Sequence, residues 1–527
     1  MTSGKRLGAT SGWWLLAGGS LAVIAVLVVL LIRPSGQERP QGELVLYCAA
    51  GLSKPVQEVV DAYQKECGVK VLVQFDASGP LLSMIRVAPD KGDLYLAGEE
   101  SYVREARSLG LVREILPIAR QHLVLVVKRG NPKKIAAVAD LLRAEVKVAI
   151  PSPERAAVGK IAKRALSAAD QWTAIERQIH DLPAKISVVG TVTEAAQAVK
   201  VGTTDAAIVW DATAWQFDLQ AVEVPTLRDQ TIEPAAIGVL AGSRRPTAAL
   251  HFARYLTARD RGQAVFQKHH LEPIPDADIW ADRPTLKLMS GAMLKPAIDD
   301  LLKRFQEREG VEITTVYAGC GIHVAQMKAM KKKTEASEQF PDAYFACDVS
   351  FMSQVQPWFE AALTIARNDM VLAVAKGNPK GVKSAADLAR PELRVGLGHP
   401  QNSALGALTD DLLKKLGLHE KVYAAKRSQP IVHTDAGHML VNQLRTGALD
   451  VVIVYRSNIL SAGETAKYVE IVDLNLPEAV AMQPYAVAKD SGHKYLMRRL
   501  LEAILAPESK KHFLESGFQW MAKDPAP

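Results

Sequence analysis

No stretch of this chain interleaves basic and aromatic residues in the stripe that a nucleic-acid surface requires. The formal net charge is +7, yet Lys and Arg are scattered. The one basic run, Lys331-Lys332-Lys333, reads as a solvated loop. Nucleic acid is therefore not expected as a partner. Catalytic fingerprints are missing too. There is no HExxH, no P-loop, no GxGxxG behind a strand, and no Ser, His and Asp in a supporting motif order. The chain reads as a non-enzyme with no cofactor. Two processing signals are also absent near the N-terminus: an A-x-A-like cleavage site and a Leu-x-Gly-Cys-like lipid attachment site.

What stands there instead is an uncharged run from Trp13 to Ile32, behind Lys5 and Arg6. As a helix it rises about 30 Å, enough to cross a bilayer. Trp13 and Trp14 fall where interfacial aromatics belong. The sequence predicts an uncleaved anchor over 13–32, a cytoplasmic N-terminus over 1–12 and a tether over 33–42. Everything beyond would lie outside the cytoplasm, in the periplasm or extracellular space, held to the cell membrane by a single pass.

The rest of the chain is built on a unit used twice. Thr285 to Phe305 opens on an apolar strand, turns at Ser290-Gly291-Ala292 and enters a helix at Pro296. Ile298, Leu301, Leu302 and Phe305 then recur at i, i+3, i+4, i+7, one face of an amphipathic helix. Glu43 to Tyr63 repeats this: a strand over Leu44–Tyr47, a turn at Ala49-Ala50-Gly51, Pro55, and a face of Val56, Val59, Val60 and Tyr63. Further echoes keep the same order. Gly130-Asn131-Pro132 returns as Gly377-Asn378-Pro379, Ala139-Asp140-Leu141 as Ala386-Asp387-Leu388, and Ile208-Val209-Trp210 as Ile453-Val454-Tyr455. A domain-sized period means duplication of a whole domain rather than a solenoid. The boundaries predicted are 43–283 and 284–527, with Arg283-Pro284 as the junction. Within the first repeat, apolar strands at Leu44–Tyr47, Lys70–Phe75, Leu94–Ala97, Leu123–Val127, Lys147–Ile150, Ile186–Val189 and Ala206–Val209 alternate with helical stretches. That alternation predicts doubly wound α/β sheets, with ligand sites at the carboxyl ends of the strands.

Five short motifs, each present in both repeats, resemble the periplasmic molybdate-binding proteins of ABC transporters, within the type II solute-binding class. They are Ala49-Ala50-Gly51-Leu52-Ser53 with Ser290-Gly291-Ala292; Phe75-Asp76-Ala77-Ser78 with Tyr317-Ala318-Gly319-Cys320; and Gly92-Asp93-Leu94-Tyr95 with Pro341-Asp342-Ala343-Tyr344. The last two are Ala157-Val158-Gly159 with Ala404-Leu405-Gly406, and the strand ends Trp210 and Tyr455. The resemblance implies two tandem type II periplasmic-binding-protein-like repeats, each of two doubly wound α/β lobes, after one N-terminal transmembrane helix. It implies capture of a small oxyanion for an ABC transporter permease. It carries ligand contacts onto Gly51, Ser78, Val158, Val192 and Trp210 in the first repeat, and onto Ala292, Cys320, Leu405, Gly437 and Tyr455 in the second. Ser53 and Ser290 lie nearby as further candidate ligand-binding hydroxyls, or as cap and turn residues. Neither repeat keeps the family's full set of hydroxyls, and Tyr455 favours the second as the oxyanion site.

Hinges between lobes are predicted near Ala119–His122 and Gln220–Thr231, and near Ala366–Met370 and Asp473–Gln483. Of the four cysteines, Cys320 and Cys347 are placed at the ends of predicted neighbouring strands, within reach of a disulfide or left as buried thiols. Cys48 and Cys67 are separated by a helix rising about 16 Å. Two other functions stay open: an anchored sensor on the same fold, and a metal-binding module using His323, His399, His433 and His438 beside Cys320 and Cys347.

Overall fold

A computed structural model of the chain describes residues 42–230, 234–332 and 340–523. The predicted anchor over 13–32 lies outside them. No helix among the described residues is long and apolar enough to cross a membrane.

The strand–turn–helix unit forms as its spacing predicts. Leu44–Ala49 leads through a short turn into the helix Ser53–Cys67, whose Val56, Val59, Val60 and Tyr63 are buried. Thr285–Gly291 leads likewise into Lys295–Glu309, burying Ile298, Leu301, Leu302 and Phe305. Each helix is stopped by a left-handed glycine, Gly68 at φ 73° and Gly310 at φ 65°, a conformation that costs other residues about 1–2 kcal/mol. Four such buried side chains contribute roughly 6–12 kcal/mol per helix, an upper bound because the unfolded chain is already partly collapsed.

In the first repeat, Leu44–Ala49 sits between Val71–Asp76 and Leu94–Ala97, parallel to both. Ala235–Leu240 and Val112–Arg120 extend this sheet antiparallel. A second sheet runs Ile186–Val189, Val148–Pro151, Ala206–Trp210, Leu123–Val127, Gln220–Val222. Its central strands are buried along their whole length, as helices on both faces require. The chain passes between lobes at Gln121-His122, the end of the predicted Ala119–His122 segment. In the predicted Gln220–Thr231 segment, Gln220–Val222 is instead a strand of the second sheet and the helix Pro225–Arg228 packs on the same lobe, so the return to Ala235–Leu240 comes after Arg228. The second repeat has the same plan with one change. A single 13-residue strand, Leu363–Ala375, runs through both lobes. It pairs with Val480–Val487 in one lobe and with Val451–Tyr455 in the other. The Ala366–Met370 hinge therefore lies inside continuous strand.

The seven strands predicted for the first repeat are present to within a residue or two at their ends. Val112–Arg120, Gln220–Val222 and Ala235–Leu240 were not foreseen, nor were the helices Trp172–Asp181, Pro246–Thr257 and Gly262–Lys268. Val112–Arg120 carries Arg113, Glu114 and Pro117 and is paired across register shifts, which hides its period of two. The repeated Gly-Asn-Pro motif is a loop brace. Asn131 and Asn378 take φ of 43° and 46°. Each amide side chain bonds the backbone four residues on, at 2.8 and 2.9 Å, to Ile135 and to Val382.

The two repeats are docked through the helix Pro246–Thr257 against Lys295–Glu309. Glu309, 2% exposed, is held by Arg499 in two hydrogen bonds of 2.8 and 3.0 Å, and by Arg254 of the first repeat at 3.4 Å. Glu114 and Arg308 form a second two-point bridge, both bonds 2.9 Å.

Candidate functional site

Four helices of each repeat start at the cleft between its lobes. In the first they are Ser53–Cys67 with its preceding turn, Ser78–Val87, Ala157–Ala168 and Val192–Val201. In the second they are Lys295–Glu309 with its turn, Cys320–Lys332, Ala404–Lys415 and Gly437–Arg445. Their free N–H groups and positive dipole ends face the cleft, and neither small cavity there has Lys or Arg in its lining. Two glycines let a helix start so close to its strand. A Cβ on Gly159 would lie 2.1 Å from the Pro151 carbonyl oxygen, and one on Gly406 2.4 Å from that of His399.

Each cleft encloses a cavity of about 20 Å³. A single water needs about 10–15 Å³ by this kind of measure, so each cavity is small. Beside the second lies a pocket of about 460 Å³ that shares Ala292, Met293, His438 and Asn458 with it. In the first repeat Gly51, Ser78, Val158, Val192 and Trp210 all line the small cavity, with Gly98 and Thr191 beside them. No ionisable residue is among the lining. In the second repeat Ala292, Leu405, Gly437 and Tyr455 line it. Cys320 is held behind the wall by its disulfide to Cys347, which does line it. Exposed Asp435 and His438 stand at the rim. Ser53 and Ser290 line neither cavity. Ser53 begins a helix, and Ser290 is fully buried with its hydroxyl turned to the Gly291 carbonyl and its own carbonyl accepting from His323.

The clefts are closed. Gly79 donates to the Arg155 carbonyl across the first, at 2.9 Å, and Gln216 reaches the Gly51 carbonyl at 3.1 Å. Across the second, backbone approaches backbone so closely that a Cβ on Gly321 would fall 2.1 Å from the Gln401 carbonyl oxygen.

The floors differ. In the first repeat the Ser78 hydroxyl accepts from the Gly98 N–H at 3.2 Å, which leaves its own proton to donate. In the second, Cys320 and Cys347 occupy those two places and are joined as a disulfide, Cα–Cα 6.2 Å. Their strands are not neighbours. Thr285–Gly291 runs between them, and the bridge crosses over Gly291. Cys48 and Cys67 stand outside the disulfide. Opposite this floor, the Tyr455 hydroxyl is buried with no hydrogen-bond partner among the described residues. Burial, with Asp348 adding to it, pushes its pKa well above that of free tyrosine, so the phenol stays a donor. Trp210, its counterpart, offers an indole N–H 3.7 Å from where a Gly98 Cβ would be.

The four histidines of the metal reading do not converge. His323 is wholly buried and bonded to the Ser290 carbonyl, and His399 and His433 are 6.1 Å apart ring to ring. The disulfide removes the two thiols they would need. The sequence missed Gly98, Thr191, Cys347 and Asn458 as lining residues. Gly98 follows its Asp-Leu-Tyr-like strand by one residue and Cys347 follows the matching strand by two, and a strand's carboxyl end is the signal that identifies them.

Two tandem, two-lobed α/β repeats, each closed on a small cavity between its lobes, define a solute-binding protein. The family of bacterial extracellular solute-binding proteins matches residues 44–272 and again 286–519, and the chain belongs to it, in tandem. A Haemophilus influenzae protein described only as a binding protein is 28% identical over 228 residues, 43% of this chain and 89% of its own. The molybdate-binding protein ModA of Mycobacterium bovis is 26% identical over 244 residues, 44% and 84% of the two chains. Among solved structures, the periplasmic molybdate-binding protein of Azotobacter vinelandii covers 43% of this chain and 98% of its own, at 16% identity and TM-score 0.37.

Proposed function

We propose that this protein captures a tetrahedral oxyanion of the molybdate or tungstate kind outside the cytoplasm and presents it to an ABC transporter permease. The observation that carries the reading is the convergence of four helix N-termini on each small cavity, with no Lys or Arg in the lining. Such a cradle holds a compact dianion through N–H groups and dipoles. In the first cleft a cation would meet only the positive ends of helices, and in the second only the exposed Asp435 at the rim would oppose them. A neutral solute would waste those ends. The similarity to the Mycobacterium protein points to the same ligand class.

The oxyanion contacts are assigned to Gly51, Ser78, Val158, Val192 and Trp210 in the first cleft, and to Ala292, Leu405, Gly437 and Tyr455 in the second, with the Cys320–Cys347 bridge as its floor. The second is the principal site, because the orphaned Tyr455 phenol gains a partner only when an acceptor enters. The run over 13–32 anchors the chain, 33–42 tethers it, and the repeats occupy 43–283 and 284–527. Protease added to intact spheroplasts should digest the repeats; a protected ectodomain contradicts the topology. Calorimetry of the full-length protein with molybdate, tungstate, sulfate and phosphate tests the ligand class, and silence toward all four rejects it.

A further inference from the structure

Away from both clefts, the helix Ser53–Cys67, the helix Pro246–Thr257 and the connector between the repeats meet at one point. There the Cys67 thiol, the His251 imidazole and the Asp282 carboxylate each offer one ligand atom, and all three atoms lie within 4.8 Å of one another. Among the described residues no other cluster of His, Cys, Asp and Glu has this spacing. We propose that Cys67, His251 and Asp282 form a binding site for a divalent transition-metal ion of the zinc class.

The donor set selects the ion. A thiolate and an imidazole favour a borderline-soft metal and disfavour Mg²⁺ and Ca²⁺, which ask for oxygen. Three protein ligands leave a fourth tetrahedral position for water. Bonds of about 2.0–2.3 Å space tetrahedral ligand atoms about 3.3–3.7 Å apart. His251 Nε2 and Asp282 Oδ1 stand 3.0 Å apart, so a few tenths of an ångström of separation admit the ion. The Asp282 side chain, 68% exposed, can supply that movement and marks the entry path.

The surroundings prepare the imidazole. His251 Nδ1 is 2.7 Å from the Tyr63 hydroxyl. In the metal-bound tautomer Nδ1–H donates to that oxygen and Nε2 presents its lone pair, the orienting contact that ligating histidines usually have. Trp280 packs edge-on to the ring at 5.0 Å and fixes its plane. Loading costs one proton from the Cys67 thiol, released to solvent, while Asp282 exchanges an accepted hydrogen bond for a metal bond. The ion would tie the connector to two helices of the first repeat.

Cobalt(II) titration of the full-length protein tests this, because cobalt reports a thiolate ligand by charge-transfer absorption. One equivalent should bind with that band. Cys67→Ser should abolish the band, and Asp282→Asn, at an exposed position that leaves folding intact, should weaken cobalt binding by roughly tenfold or more. Zinc should raise the melting temperature of the wild type and not of Cys67→Ser. Failure of the wild type to bind cobalt, a band that survives Cys67→Ser, or an affinity unchanged by Asp282→Asn would each overturn the site.

Discussion

Gly291 and Cys347 share a space that holds one side chain: a Cβ on Gly291 would lie 2.4 Å from Cys347 Sγ. The first repeat solves the same corner in reverse, with a methyl group at Ala49, 3.8 Å from where a Cβ of Gly98 would lie, and no side chain at Gly98. The exchange is what lets Cys347 reach Cys320 across the strand between them. Gly291→Ala should therefore destabilise the protein by about 1–3 kcal/mol through overpacking. Adding Cys347→Gly should recover most of that loss, with Cys320→Ser removing the stranded thiol. Urea melts of the single and combined variants measure the coupling; additive losses would contradict the shared space.

Closure is built from backbone contact. A Cβ on Gly321 cannot coexist with the Gln401 carbonyl 2.1 Å away, so Gly321→Ala should prop the second cleft open. X-ray scattering of the wild type should show compaction when a binding oxyanion is added, and the variant should show less. No compaction under any tested oxyanion would contradict a closing cleft.

Much of this was legible in the sequence because it lies in spacing. The doubled strand–turn–helix unit and the strand ends follow from apolar periodicity and from motifs kept in order, and it is the family resemblance that carries Gly51, Ser78, Val158, Val192 and Trp210 to the cavity lining. What was not legible depends on contacts between distant segments. Leu363–Ala375 runs unbroken where the first repeat pauses at Gln121-His122, and nothing local distinguishes the two. Gly98 has no side chain to announce it. Ser290 sits in a turn motif beside the cleft, yet its hydroxyl turns to the Gly291 carbonyl. The Cys67–His251–Asp282 cluster joins residues far apart in the chain.

The docked repeats depend on Glu309. Burial raises the cost of its charge, but Arg499 and Arg254 outweigh that and hold its pKa below the ordinary glutamate value of 4.5. A depressed carboxylate contributes stability that is present above the unfolded pKa and lost as pH falls through the folded one. The interface should therefore weaken only below about pH 4.5. Arg499, bound at two points, is held above the ordinary arginine range, whereas burial prevails at the more distant Arg254. Glu309→Gln leaves two buried guanidinium groups without their counter-charge and should cost about 3–5 kcal/mol. Calorimetric melts should then split into separate transitions for the two repeats; a single unshifted transition would contradict the role given to Glu309.

The central claim is that the second cleft holds an oxyanion through the Tyr455 phenol. Isothermal titration of the full-length protein with molybdate, before and after Tyr455→Phe, tests it most directly. A hydrogen bond to a charged acceptor is worth about 1.5–3 kcal/mol, so the variant should bind roughly tenfold or more weakly. Ser78→Ala, in the first cleft, should leave that isotherm nearly unchanged. Unaltered binding in Tyr455→Phe, with loss in Ser78→Ala, would place the oxyanion in the first repeat and contradict the account.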